Sequence, residues 1–152
     1  GVVRVLLDSR PLEGDAAAMG RAIARALFGV APGTVLLHGG ETTVALPADH
    51  GTGGRNQQLA LAAAEVLAES DAPAAALLAI GTDGRDGPTD AAGAIVTNDT
   101  WKAIGDAGIS ATSALDRCDA YHALDAAAAL LRTGPTGTNV ADIVIAIRAG
   151  SA

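Results

Sequence analysis

The chain has 152 residues, 49% of them hydrophobic and 18% charged, with a formal net charge of -7. That balance excludes a disordered chain, and the length allows one domain with a real core. A single lysine (Lys102), an excess of acids over bases and only three aromatic residues (Phe28, Trp101 and Tyr121) exclude nucleic-acid binding, which needs a basic footprint and stacking rings.

No apolar run approaches the roughly 18–20 residues that span a bilayer. The lone Cys118 rules out an internal disulfide and points to a reducing, cytoplasmic compartment. The chain lacks an initiating Met and a leader pattern, and residues 2–7 read at once as a strand. We therefore expect a piece of a longer protein.

A helix follows Pro11-Leu12-Glu13-Gly14-Asp15, with Met19, Ile23, Ala26 and Leu27 on one stripe and Gly29 at its end. Residues 34–38 form an apolar strand closed by Gly39-Gly40-Glu41. Residues 42–46 are rich in β-branched side chains, and the short link predicts either a hairpin or a sharply bent pair. Gly51-Thr52-Gly53-Gly54-Arg55-Asn56-Gln57-Gln58 then runs into a helix. Its Leu59, Ala63, Val66 and Leu67 share an inner face, and Gln58, Glu65 and Glu69 share the outer one.

Residues 77–80 make the next strand, which stops at the loop Gly81-Thr82-Asp83-Gly84-Arg85-Asp86-Gly87-Pro88-Thr89-Asp90. Residues 91–96 predict another strand. Asn98-Asp99-Thr100 offers caps for a short helix, and residues 110–115 a helical turn. Asp119 can cap a helix bearing Tyr121, Leu124, Ala128 and Leu131. The small-residue loop 133–139 leads to a last strand at 140–147, alternating around Asp142. Strands alternating with helices predict one α/β domain over residues 1–152: a three-layer α/β/α sandwich with a mixed, mostly parallel sheet.

Polar chemistry gathers in four segments: 39–43, 53–57, the acidic loop and 134–139. Gly53-Gly54 before a helix makes an anion site from free N–H groups and the helix dipole, and Arg55 adds a bidentate grip. The acids Asp83, Asp86 and Asp90 do not have calcium-loop spacing. They suit Mg²⁺, which takes one or two carboxylates and completes its shell with water and phosphate oxygens. The same Asp, Gly, Pro and Thr residues also build ordinary solvated turns, so ligand loop and turn remain open alternatives. No standard phosphate or dinucleotide motif is present. Read from its residues alone, the chain is an anion-binding α/β domain.

Four stretches together resemble the MOFRL domain, the C-terminal domain of type-II glycerate kinases, some of them labelled hydroxypyruvate reductases. They are Gly-Gly-Glu-Thr-Thr-Val at 39–44, Gly-Gly-Arg-Asn-Gln at 53–57, the run from Gly81 to Gly93, and Thr-Gly-Pro-Thr-Gly-Thr-Asn-Val at 133–140. Gln58 stands where the family commonly has Glu. The resemblance implies ATP- and Mg²⁺-dependent phosphorylation of glycerate at a cleft shared with an N-terminal Rossmann-like domain, which this chain does not contain. It places the family's catalytic lysine in that other domain, and Lys102 lies in no matching motif.

On that likeness Arg55 and Asp83 are the candidate catalytic residues. Glu41, Asn56, Gln57, Asp86, Gly134, Thr136, Thr138 and Asn139 are candidates for binding substrate or nucleotide, and Asp83 and Asp86 for the metal. Asp90 reads as structural. The alternative is a non-catalytic anion-binding or interaction module, inactive alone.

Overall fold

The computed structural model describes residues 4–150. Alternating apolar segments form strands β1 (Arg4–Leu7), β2 (Thr34–Gly40), β3 (Ala75–Gly81), β4 (Gly93–Thr97), β5 (Leu130–Leu131) and β6 (Asp142–Arg148). The helices are α1 (Ala16–Ala26), α2 (Arg55–Leu67), α3 (Thr100–Asp106), α4 (Ala111–Asp116) and α5 (Ala120–Ala126). Val2 and Val3 of the expected first strand lie outside the described residues. No helix among the described residues is long and apolar enough to cross a membrane.

The six strands form one sheet in the order β1-β2-β6-β3-β4-β5. The α/β class and the mixed sheet are as expected, but the direction of pairing is not. Only β1 and β2 run parallel; β2–β6, β6–β3, β3–β4 and β4–β5 are antiparallel. Two of the antiparallel ladders belong to β6, which returns from the far end of the chain and inserts between β2 and β3. The other two join β4 to its sequence neighbours β3 and β5.

One sheet face is buried. Leu36, Ala146, Leu77 and Val96 sit opposite one another in register, and so do Val144, Ala79 and Ala94. They share a single core with buried residues of all five helices. The opposite face stays open. Its row Leu7–Leu37–Ile145–Leu78–Ile95 crosses five strands, and Leu7, Ile145 and Ile95 are 69%, 36% and 45% exposed. The second helical layer expected over this face is not among the described residues.

Helix α2 is the hub. Ala60, Leu61, Ala62, Ala63 and Ala64 are all fully buried, and of the expected polar face Gln58 is buried too, while Glu65 and Glu69 stay partly exposed. Small side chains let the neighbouring helices approach it from several sides. Helix α1 is capped by Asp15, whose Oδ1 accepts from Ala18 N at 2.8 Å. Its Arg21 and Arg25 pair with Glu65 and with Glu69, just past the end of α2. Residues 42–46 form no hairpin. The segment crosses to the entry of α1, where Thr43 bridges Asp15 in parallel and Ala16 N donates to Thr43 O.

Candidate functional site

At the carboxyl ends of β2 and β3 the chain opens a cavity of about 590 Å³. It is lined by Glu41, Thr42 and Thr43 after β2, by Gly53, Gly54, Arg55 and Gln58 at the start of α2, and by Asp83, Arg85 and Asp86 of the acidic loop. Three of the four polar segments therefore share one site.

Arg55 is its centre. The guanidinium lies side-on to Asp142, donating from Nε to Oδ2 at 2.6 Å and from Nη2 to Oδ1 at 3.2 Å. Its Nη1 donates to Glu41 Oε1 at 2.5 Å. The hydrogen bonds to Asp142 raise its pKa and keep it charged. Asp142 is buried at the first position of β6, opposite Gly40 of β2 and Gly81 of β3. It is the site residue the candidate set lacks. Its signal was available: Asp142 falls in phase with buried Val144 and Ala146, and a carboxylate on a buried face must be paired.

Asp86 plays a part other than the one expected. Its Oδ1 accepts from Asn56 N at 3.1 Å and its Oδ2 from Gln57 N at 2.8 Å, so it is the anion at the N-terminus of α2. The Asn56 amide also donates to Oδ1, at 3.2 Å. Burial raises the Asp86 pKa above the ordinary carboxylate value, reinforced by the charge of Asp142, although the backbone donors oppose the shift. A Cβ at Gly54 would lie 2.2 Å from the Asp86 carboxyl carbon, so the carboxylate reaches the helix end only over a glycine. The anion site expected at Gly53-Gly54 is filled by the protein itself.

Asn56 and Gln57 are buried and face the acidic loop. Gln57 Nε2 donates to Asp86 O at 3.2 Å and to Thr89 Oγ1 at 2.9 Å. Neither lines the cavity, whereas the neighbouring Gln58 does. Asp90 accepts from Tyr121 and Arg132, in keeping with the structural reading. Cys118 lines the cavity, and burial raises its pKa, which disfavours the thiolate. Lys102 pairs with Asp106 on α3, away from the site.

The fourth segment stands outside the cavity. Thr136 Oγ1 donates to Thr82 O at 2.5 Å and Thr136 N to Asp83 O at 3.3 Å, bracing the acidic loop. Asn139 Oδ1 accepts from Ala141 N. Gly134, Thr136, Thr138 and Asn139 are all exposed.

Among the described residues no group of three or more His, Cys, Asp or Glu is arranged to hold a metal. Both Asp86 oxygens are committed to α2. Exposed Asp83 accepts from Arg85 N through Oδ1, and its Oδ2 has no hydrogen bond to another described residue. These residues fit Mg²⁺ held by one carboxylate with water and phosphate oxygens, and do not fit a two-carboxylate grip.

Fold and site together define a mixed α/β domain with an arginine-centred polar cleft at the ends of its inner strands. The chain belongs to the MOFRL family, whose pattern matches residues 34–142. It is 47% identical over 116 residues to a protein of Pyrococcus horikoshii named glycerate 2-kinase, covering 76% of this chain and 26% of that protein. It is 48% identical over 112 residues to the D-glycerate 2-kinase of Thermotoga maritima, covering 74% of this chain and 26% of the relative. A crystal structure of a glycerate kinase from Thermotoga maritima superposes on 95% of the chain with a TM-score of 0.87 at 41% identity, over 36% of its own length. The chain thus spans about a quarter of the length of these curated relatives.

Proposed function

We propose that this domain forms one wall of a glycerate kinase site, at which ATP phosphorylates glycerate in a cleft shared with the Rossmann-like domain of a longer enzyme. The observation that carries the reading is the convergence of the 41–43, 53–58 and acidic-loop segments on one cavity around Arg55. The names of the relatives supply the substrate.

In this reading Arg55 neutralises charge, either on the glycerate carboxylate or on the phosphoryl group in transfer. Its side-on bond to Asp142 leaves the outer guanidinium edge toward the cavity, where Glu41 now holds Nη1. Asp83 is the ligand for Mg²⁺, which when bound neutralises phosphate charge. Asp86, Asn56 and Gln57 fix the acidic loop against α2 and so aim Asp83. Thr136 braces the same loop, and in this reading Gly134, Thr138 and Asn139, exposed on the bracing segment, meet the nucleotide.

The chain brings no lysine to the cavity, so we expect no turnover by it alone. ATP-dependent loss of glycerate should appear only when the N-terminal domain is present, in the same chain or added separately. Arg55→Ala in the complete enzyme should lower kcat/KM about 10²-fold or more, the usual cost of losing a charge-stabilising donor. Near-normal turnover in that variant would remove Arg55 from the mechanism. Turnover by neither arrangement would leave the domain a non-catalytic module.

A further inference from the structure

Arg55 has two carboxylate partners, and they differ in kind. Asp142 is 2% exposed, and its backbone is held between two strands at the start of β6. Glu41 is 59% exposed and lies on a loop just past β2. Asp142 takes the Nε and Nη2 edge, and Glu41 takes Nη1 alone. A planar guanidinium held along one edge can turn only its other edge outward, and that edge matches two oxygens of a carboxylate or phosphate.

The lining also sets a charge problem. Glu41, Asp83 and Asp86 face only Arg55 and Arg85, with Asp142 behind them. An incoming anion meets excess negative charge, which falls when one carboxylate withdraws. Asp142 is fixed in the sheet and Asp86 is tied to the end of α2 by two backbone donors. Asp83 accepts within its own loop and, among the described residues, forms no ion pair with Arg55. Glu41 is the exposed acid whose only side-chain hydrogen bond among the described residues is the one to Arg55.

We propose that Asp142 is a positioning residue that locks Arg55 side-on, and that Glu41 is a displaceable internal stand-in for a small oxyanion that binds the outer guanidinium edge. The ligand class is a carboxylate or phosphate group. The inference rests on the anion reading of the cavity but requires no catalysis.

The test is titration of D-glycerate and, separately, inorganic phosphate into the 152-residue chain, read by calorimetry or amide chemical shifts. The two arms decide which oxyanion the edge takes. Glu41→Gln removes the internal competitor at an exposed position and should tighten binding of that anion by up to about fivefold, the range set by one exposed ion pair. Asp142→Asn should weaken it about tenfold, and the double variant should lose the gain from Glu41→Gln, because a freed guanidinium no longer presents one edge. Added guanidinium should restore binding to Arg55→Ala but not to Arg55→Ala with Asp142→Asn, a difference that a merely structural Asp142 does not produce.

Unchanged or weaker binding by Glu41→Gln overturns the stand-in. Unchanged binding by a folded Asp142→Asn overturns the positioning role. Binding of neither anion by any variant overturns the inference and the anion reading together. Binding as expected, without glycerate phosphorylation by the complete enzyme, leaves the inference standing and removes only the kinase reading.

Discussion

At the scale of single residues, Asp86 shows how a candidate ligand can be a structural anion. Its carboxylate satisfies two buried N–H groups that α2 cannot satisfy itself. Replacing it with Ala leaves both donors without partners in a dry site and should cost about 1–3 kcal/mol of stability. The pH dependence has a definite sign. Burial raises the folded pKa above the unfolded value, so the native state binds more protons between the two. Stability arising from Asp86 is therefore greatest below the ordinary aspartate value and declines as pH rises through the raised one. Urea unfolding of the wild type and Asp86→Asn across that window should show the stability difference between them shrinking as pH rises. A difference that grows with pH would mean that the backbone donors outweigh desolvation.

At the scale of elements, the contact between α1 and α2 depends on a missing side chain. A Cβ on Gly20 would lie 2.1 Å from Leu59 O, in the second turn of α2. Gly20→Ala raises helix propensity, which alone would stabilise α1 by about 1 kcal/mol. The overlap with backbone forces the helices apart instead, at a cost of about 1–3 kcal/mol or more. We expect net destabilisation, seen as a lower denaturant midpoint with an unchanged slope; a midpoint at or above the wild-type value would show that the helices can slide.

The same pair explains why some features were legible in sequence and others were not. Half of the stripe on α1 could be read, because Arg21 and Arg25 contrast with buried Ile23 and Leu27, but Ala26 is exposed and the small Ala16, Gly20 and Ala24 are buried instead. Helix α2 offers little contrast, since alanine serves on every side, and its buried Gln57 and Gln58 look like surface residues until the neighbours are in place. Asn56 and Gln57 could thus be placed near a glycine-rich bend, but not on its inner side. Arg55 was visible because an arginine at a positive helix end needs a reason. Pairing direction was hidden because strand periodicity carries no signal of partner, and β6 finds its neighbours across 60 or more residues of intervening chain.

For the whole molecule, the uncovered side of the sheet governs how the chain behaves in water. The row from Leu7 to Ile95 is apolar in all five strands, and flanking Val5, Val35 and Ile147 extend it. An apolar patch of this breadth in water favours association, since burying it gains roughly 25 cal/mol per Å² before the entropy of assembly is subtracted. The 152-residue chain on its own should therefore associate as its concentration rises, detectable by sedimentation or by light scattering on a sizing column. Ile95 and Ile145 both lie opposite Leu78 at the middle of the row, on strands whose other side chains already fill the core. Replacing both with Lys should leave the circular dichroism spectrum unchanged and shift the chain to a monomer. The cavity lies at the strand ends rather than on this face, so anion binding should be the same in the monomeric variant. A wild-type chain that stays monomeric at high concentration would show that the open face is too weakly cohesive to drive assembly.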